Sequence, residues 1–354
     1  MDFSDILNST ETYLKNSVAA NAELIDSDSE ALKKAFVGLE ERSLLALRVP
    51  QKWGGVDIDA ETFYEYQELT ARYSGALGFL QIQHHSATAM LANSDNEMLK
   101  SRCLRAIALG ELRLGIGFSQ LRRSGNPAVT ATPAKDGYLL SGKVPWVTGF
   151  GLFQKFIVAA VLPDNRAVFG LLPFANIESE SGKIACGEIM QLIAMNSTNT
   201  VTATLTNWWL DESQIISVKP KDWIVENDRK NVLNFVPVTF GCIRAGLDVI
   251  AAAAQTKHLP FIVTAYQKLE QKLDRLKQNF QQSQYSSTAE KLALRAQAID
   301  LAVRCGHAAV AVSSGAANSK KHPAGRIYRE ALVYTVSGQT KDVMEATLDR
   351  LIEF

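Results

Sequence analysis

The chain has 354 residues, too many for one small core, so two or three domains or layers are expected. Hydrophobic residues make up 47% and charged ones 21%, with Lys+Arg and Asp+Glu balanced at 37 each. That balance leaves no net field to draw the chain onto nucleic acid or an anionic membrane. No apolar run approaches the roughly 20 residues of a membrane span, and the acidic N-terminus lacks the layout of a signal peptide. Cys103, Cys186, Cys242 and Cys305 are scattered, without a CxxC pair or metal-ligand spacing. Buried free thiols in the cytoplasm, and no metal, are the expectation.

From the start to about Gly110 the apolar spacing is helical. Leu32, Ala35, Phe36 and Leu39 fall on one face, and Leu44 and Leu47 continue it until Pro50-Gln-Lys-Trp53-Gly54-Gly55 breaks the pattern. Helices are predicted over 63–73 and 76–92, then a polar turn at 93–96. His84 and His85 are adjacent, about 100° apart on a helix, and so are not a two-ligand metal site; one surface and one packed histidine are predicted. From about Leu112 to Ile216 the period becomes two. Asp136-Gly137 and Ser141-Gly142 are turn signals, as in a β-meander. Pro163-Asp-Asn165 predicts a hairpin between 156–162 and 167–172, and Val201, Ala203 and Leu205 alternate with threonines as a half-buried strand.

Beyond Asp222 the helical period returns. Residues 240–254 are mostly small or apolar, which predicts a helix buried on several sides. Tyr266, Leu269, Leu273, Leu276 and Phe280 form an amphipathic stripe, and Ser287 with Glu290 forms a capping box. A loop at 313–325 leads to a helix over 326–336, and Thr340 caps a last helix over 341–351. The order is helices, β-domain, helices, an α+β class with boundaries at 1–111, 112–218 and 219–354.

Gly115-Ile-Gly117-Phe-Ser-Gln120 lacks the third glycine of a dinucleotide fingerprint, and no Walker A, HExxH or GxSxG pattern occurs. What remains are segments in a fixed order. They are Pro50 to Gly55; Leu114 to Asn126; Asp136-Gly137-Tyr138 to Trp146-Val147-Thr148-Gly149; Gly241 with Ala245-Gly-Leu-Asp248; and Arg329-Glu330-Ala331 to Gly338-Gln339-Thr340. Together they resemble the acyl-CoA dehydrogenase family of flavoproteins over nearly the whole chain. The resemblance implies an N-terminal helical domain, a middle β-barrel-like domain, a C-terminal four-helix bundle, and FAD between the last two. It implies flavin contacts at Phe118, Ser119, Trp146, Val147 and Thr148, with Thr340 in the C-terminal cofactor segment. For Trp146 alone, a core tryptophan of the β-domain is the competing reading.

The same resemblance exposes gaps. Where the family carries its glutamate base this chain has Gly338, and where a minority carry it on an earlier helix this chain has Asn231, with Asn234 one turn on. None of these side chains can take a proton at neutral pH. The backbone N–H at Gly338 is still available to polarise a thioester carbonyl, as an oxyanion donor, unless this is a plain approach loop. The diphosphate-binding arginine of the family is Lys257 here, a point charge without a bidentate fork. Arg122, Arg123 and Ser124 form either a compensating phosphate site or a solvated loop.

The resemblance implies an FAD-dependent oxidoreductase acting on an acyl thioester, bound to CoA or to a carrier protein, with an electron-transfer partner and a homodimeric or homotetrameric assembly. One alternative is a flavin monooxygenase of the same fold, taking FMN or diffusible reduced flavin from a reductase, with His85 as its helical-domain histidine and Gln81 orienting it. Another is a degenerate flavoprotein retained as a binding or assembly subunit.

Overall fold

The computed structural model describes residues 3–353. Six α-helices come first: α1 (Phe3–Tyr13), α2 (Ala22–Ser27), α3 (Ser29–Glu40), α4 (Ala60–Tyr73), α5 (Gly75–Ala92) and α6 (Glu97–Ala108). Polar side chains start four of them by accepting orphan backbone N–H groups. Asp28 accepts from Ala31, Asp59 from Thr62, Ser74 from Leu77 and Asn96 from Leu99.

Helix α5 is central, flanked by α4, α6 and the first strand, and most of its residues are buried. Both His84 and His85 are therefore inside, which corrects the expected pair of one surface and one packed histidine. A 100° offset takes a residue to the surface only when one side of the helix meets water. His84 is structural. Its Nδ1 accepts from the Leu114 N–H at 3.1 Å, which leaves Nε2–H to donate to the Leu45 carbonyl at 3.0 Å. Burial drives its pKa down to about 4, so the ring stays neutral.

Nine strands follow: β1 (Leu114–Gly117), β2 (Val129–Ala134), β3 (Gly137–Val147), β4 (Lys155–Val161), β5 (Ala167–Pro173), β6 (Ile177–Ser179), β7 (Gly182–Cys186), β8 (Val201–Asp211) and β9 (Ile215–Lys219). They lie in the order β6-β7-β8-β3-β2-β4-β5-β9, with β1 parallel to β4. Only one residue pair, Thr130 with Val161, joins β2 to β4. The two halves share a core in which Leu140, Val144, Ala203 and Leu205 meet Phe156, Val158 and Leu172. The other faces of β4 and β5, with Ile157, Ala159, Phe169 and Leu171, pack on Leu91, Leu99 and Leu104 of the first helical domain. Burial on both faces explains the unbroken apolar run in β4, whereas β8, covered on one face, alternates.

Asp136-Gly137 makes the β2–β3 turn. Ser141-Gly142 does not turn: it lies inside β3, opposite Thr130 and Val129, where the register against β8 slips between Leu140 and Gly142. Gly142 has φ +132°, and a Cβ there would sit 2.1 Å from the Ala128 carbonyl oxygen. The glycine marks a bulge, which shares the turn's composition.

The C-terminal helices are α7 (Trp223–Lys230), α8 (Val236–Lys257), α9 (Pro260–Gln281), α10 (Thr288–Ser313), α11 (Pro323–Val336) and α12 (Lys341–Ile352). The capping box at Ser287 and Glu290 is formed. The expected loop at 313–325 contains a short 3-10 turn, Ser314–Asn318, and ends where Pro323 opens α11. Helix α8 corrects the expectation that no segment is long and apolar enough to cross a membrane. By length and a mean hydropathy of 1.5 it qualifies, yet 67% of that window is buried inside the protein, against α4, α10, α9 and α11. The four cysteines are unpaired; Cys186 is half-buried rather than buried.

Candidate functional site

A cavity of about 1260 Å3 opens where α4 and α5, the β-domain, the 231–235 turn and the end of α11 converge. Single drug-sized ligands occupy pockets of roughly 300–1,000 Å3, so this one has room for a cofactor ring and a substrate together. Phe118, Ser119, Trp146, Thr148, His85 and Gly338, separated by up to 253 positions in the sequence, all line it.

Strand geometry decides what β3 contributes. Side chains alternate, so Trp146 turns outward, 48% exposed, while Val147 is fully buried in the core. The Thr148 hydroxyl follows on the cavity wall, 3.0 Å from that of Thr200. Phe118 packs edge-on against Phe169, and Ser119 begins a short 3-10 helix beside it. An exposed indole with fixed hydroxyls nearby fits a flat tricyclic ring, whose faces are apolar and whose edges need donors and acceptors.

The diphosphate half fits less well. Arg122 points both guanidinium arms at Asp228, each at 2.7 Å, so its charge is paired. Ser124 is exposed and off the lining. Lys257 lies 21 residues along α8 from Val236, roughly 30 Å at 1.5 Å per residue, with its Nζ 3.5 Å from the Ser314 hydroxyl. Thr340 is spent locally, capping α12 by accepting from the Val343 N–H at 3.2 Å. Arg123 is exposed on the cavity wall.

Opposite the β-domain, buried Arg295 donates to the carbonyls of Val232 (2.8 Å), Ser337 (2.6 Å) and Gly338 (3.1 Å). Burial draws its pKa down to about 10. It ties together the two stretches that hold Asn231 and Gly338. Gly338 has φ +59°, and a Cβ would lie 2.8 Å from the Phe235 ring, so a glutamate there would meet both strain and a clash. Asn231 lines the cavity with its amide donating to the Asn227 carbonyl at 2.8 Å.

No aspartate or glutamate is found among the described residues that line the cavity; its charged members are Arg48, Arg122, Arg123 and Lys219. His85 remains. Its ring is 3% exposed, and neither nitrogen has a hydrogen-bond partner among the described residues. Gln81 does not orient it: the Gln81 amide donates to the Gly78 carbonyl instead. Burial first, then the neighbouring His84 and Arg48, holds the His85 pKa well below the ordinary 6.5.

Residues 2–111 match the family described as acyl-CoA dehydrogenase, N-terminal domain. Across 95% of this chain, and 94% of that protein, the sequence is 20% identical to a 3-(aryl)acrylate reductase of Clostridium sporogenes. The fold superposes on a probable acyl-CoA dehydrogenase from Mycobacterium abscessus with TM-score 0.83, at 13% identity over 98% of both chains. The chain is acyl-CoA dehydrogenase-like. The FMN-bound dibenzothiophene monooxygenase of a Paenibacillus species shares this fold, with TM-score 0.79 and 16% identity over 99% of this chain and 97% of that one. This acyl-CoA dehydrogenase-like chain also has cavity residues that the motifs did not point to, among them Arg48 and Phe235. For Arg48 a signal was available, a single cation inside the apolar run Leu44-Leu-Ala-Leu-Arg-Val49.

Proposed function

We propose that this chain is a flavin-dependent, acyl-CoA dehydrogenase-like oxidoreductase acting beside the carbonyl of an acyl thioester, CoA- or carrier-bound, with FAD as its cofactor. The observation that carries this reading is the shared cavity: Phe118, Ser119, Trp146 and Thr148 face the same space as Gly338 and His85. A flavin bound there supplies a two-electron acceptor. Trp146 walls the ring, Ser119 and Thr148 offer hydroxyls to its edge, and the Gly338 N–H is the candidate carbonyl donor. With no carboxylate among the described lining residues, His85 is the cavity side chain with a ring nitrogen able to accept a proton. Its depressed pKa makes it a weak base, so proton abstraction at the carbon beside the carbonyl is slow relative to a glutamate-equipped site.

A second reading rests on the same absence of lining carboxylates and on the paired Arg122: oxygenation with FMN or reduced flavin delivered by a reductase, which needs neither a carboxylate base nor a firm diphosphate grip. An electron-transfer partner belongs to the first reading, a reductase to the second. Assembly as a homodimer or homotetramer, with Ser124, Val147, Lys257 and Thr340 meeting cofactor through backbone atoms or across subunits, is part of the proposal. So is a cytoplasmic location, which suits the unpaired cysteines.

The test is a visible spectrum followed by anaerobic titration with acyl-CoAs of several chain lengths. Bleaching of bound flavin by an acyl-CoA is the expected result. Preference for reduced FMN over FAD, with no bleaching, selects the second reading. No flavin uptake in either redox state overturns both and leaves a binding or assembly subunit.

A further inference from the structure

Arg48 is built into the cavity wall with no counter-charge. It follows Leu47 and precedes Val49, both fully buried. Its backbone neighbours are pinned, since Ile58 N–H donates to the Leu47 carbonyl at 2.9 Å and Asp57 N–H to the Val49 carbonyl at 3.0 Å. The guanidinium lies 5.1 Å over the Phe63 ring, and that ring meets His85 edge-on at 5.1 Å. No hydrogen-bond or ion-pair partner for Arg48 occurs among the described residues. A half-buried cation without a partner is costly unless a ligand completes it.

We infer that this cavity selects substrates whose acid part carries a free carboxylate, held by the Arg48 guanidinium with the His85 imidazole as a second donor. The planar fork of an arginine matches a carboxylate in two parallel hydrogen bonds. His85 is more than nine-tenths buried, and neither ring nitrogen meets hydrogen-bond geometry, the Leu44 carbonyl being the nearby backbone acceptor; its neutral form has one N–H to give. Phe63 supplies an apolar wall beside this pair, and Tyr64 and Phe79 line the same cavity, suited to an aromatic or alkyl body behind the carboxylate. A phosphate would recruit several cations or a run of backbone N–H groups. The other cavity cations, Arg122, Arg123 and Lys219, belong to the β-domain wall and not to this one.

The inference rests on the oxidoreductase reading for its substrate, but not for its test. Binding to the purified full chain is measured by calorimetry, pairing phenylpropanoate with phenylpropanamide, and a carboxyacyl-CoA with the acyl-CoA of equal length. The first pair reports a free acid as the source of the carboxylate, the second a carboxylate at the far end of a thioester. In at least one pair the acid is expected to bind about tenfold or more tightly, as for a charge-assisted hydrogen bond. Arg48→Gln should erase that preference, and Arg48→Lys should retain part of it, with flavin occupancy unchanged in both.

Equal affinity for acid and neutral ligand in both pairs overturns the inference, as does a preference that survives Arg48→Gln. Inorganic phosphate bound at Arg48 in place of any acid also overturns it. If Arg48→Gln does not fold, the wild-type pairs decide alone. A chain that discriminates acid from amide yet takes up no flavin would sink the oxidoreductase reading and leave this one standing.

Discussion

At the residue scale, the site depends on a few side chains whose neighbours set their chemistry. Trp146 is a strand residue whose ring is left exposed on the cavity wall. Trp146→Ala should weaken flavin binding about tenfold, the scale of an aromatic contact plus its buried area, whereas Trp146→Phe should keep most of it; equilibrium dialysis against FAD and FMN measures both. His84 and His85 make stability depend on pH. Their folded pKa values lie below the ordinary 6.5, His84 at about 4, so below pH 6.5 the unfolded chain binds more protons than the native one. The stabilisation is complete above 6.5 and falls as the pH drops, by about 1.4 kcal/mol per pH unit for each proton. Urea denaturation from about pH 7.5 down to about pH 5, across the ordinary histidine range, should show this slope, shallower in His84→Gln by about one proton.

At the element scale, buried charges fix how helices meet. Arg326 on α11 pairs with Glu330 one turn on and with Glu23 of α2, each at 2.7 Å, and Glu330 also accepts from the Gly75 N–H that opens α5. Burial raises the Glu330 pKa, with Arg326 opposing. Replacing Arg326 by Met would strand a buried carboxyl, so a loss of about 3–5 kcal/mol is expected, read from the denaturation midpoint. Most elements could be read from periodicity and caps: the β4–β5 hairpin, the α9 stripe, and Ser287 with Glu290 at the head of α10. Ser141-Gly142 could not be read correctly, because a bulge and a turn ask for the same glycine. The placing of both histidines of α5 inside also escaped the sequence, since burial of a helix on every side depends on what packs against it.

At the scale of the whole molecule, the apolar first half of α8 is covered by its own chain, so its composition alone makes no demand for a second copy. Helix α12 offers a surface for the proposed subunit contact: Met344, Leu348, Leu351 and Ile352 form an exposed apolar stripe at helical spacing. Leu348→Glu with Leu351→Glu should shift sedimentation toward a smaller species if this face joins subunits, and leave it unchanged otherwise.

Sequence by itself determined the order of helices, strands and helices, the class of fold, and the loss of a carboxylate at positions 338 and 231. Those properties are local: period, caps, turn residues and residue identity along one dimension. Only the tertiary structure decided that Trp146 faces the cavity while Val147 fills the core, that Asp228 neutralises Arg122, and that Lys257 lies a helix-length away. It also decided that Arg48 lies over the Phe63 ring, which His85 meets edge-on, in a cavity lined by no acid among the described residues. Charge pairing and cavity walls are made by residues far apart in the chain, and no spacing rule carries that information.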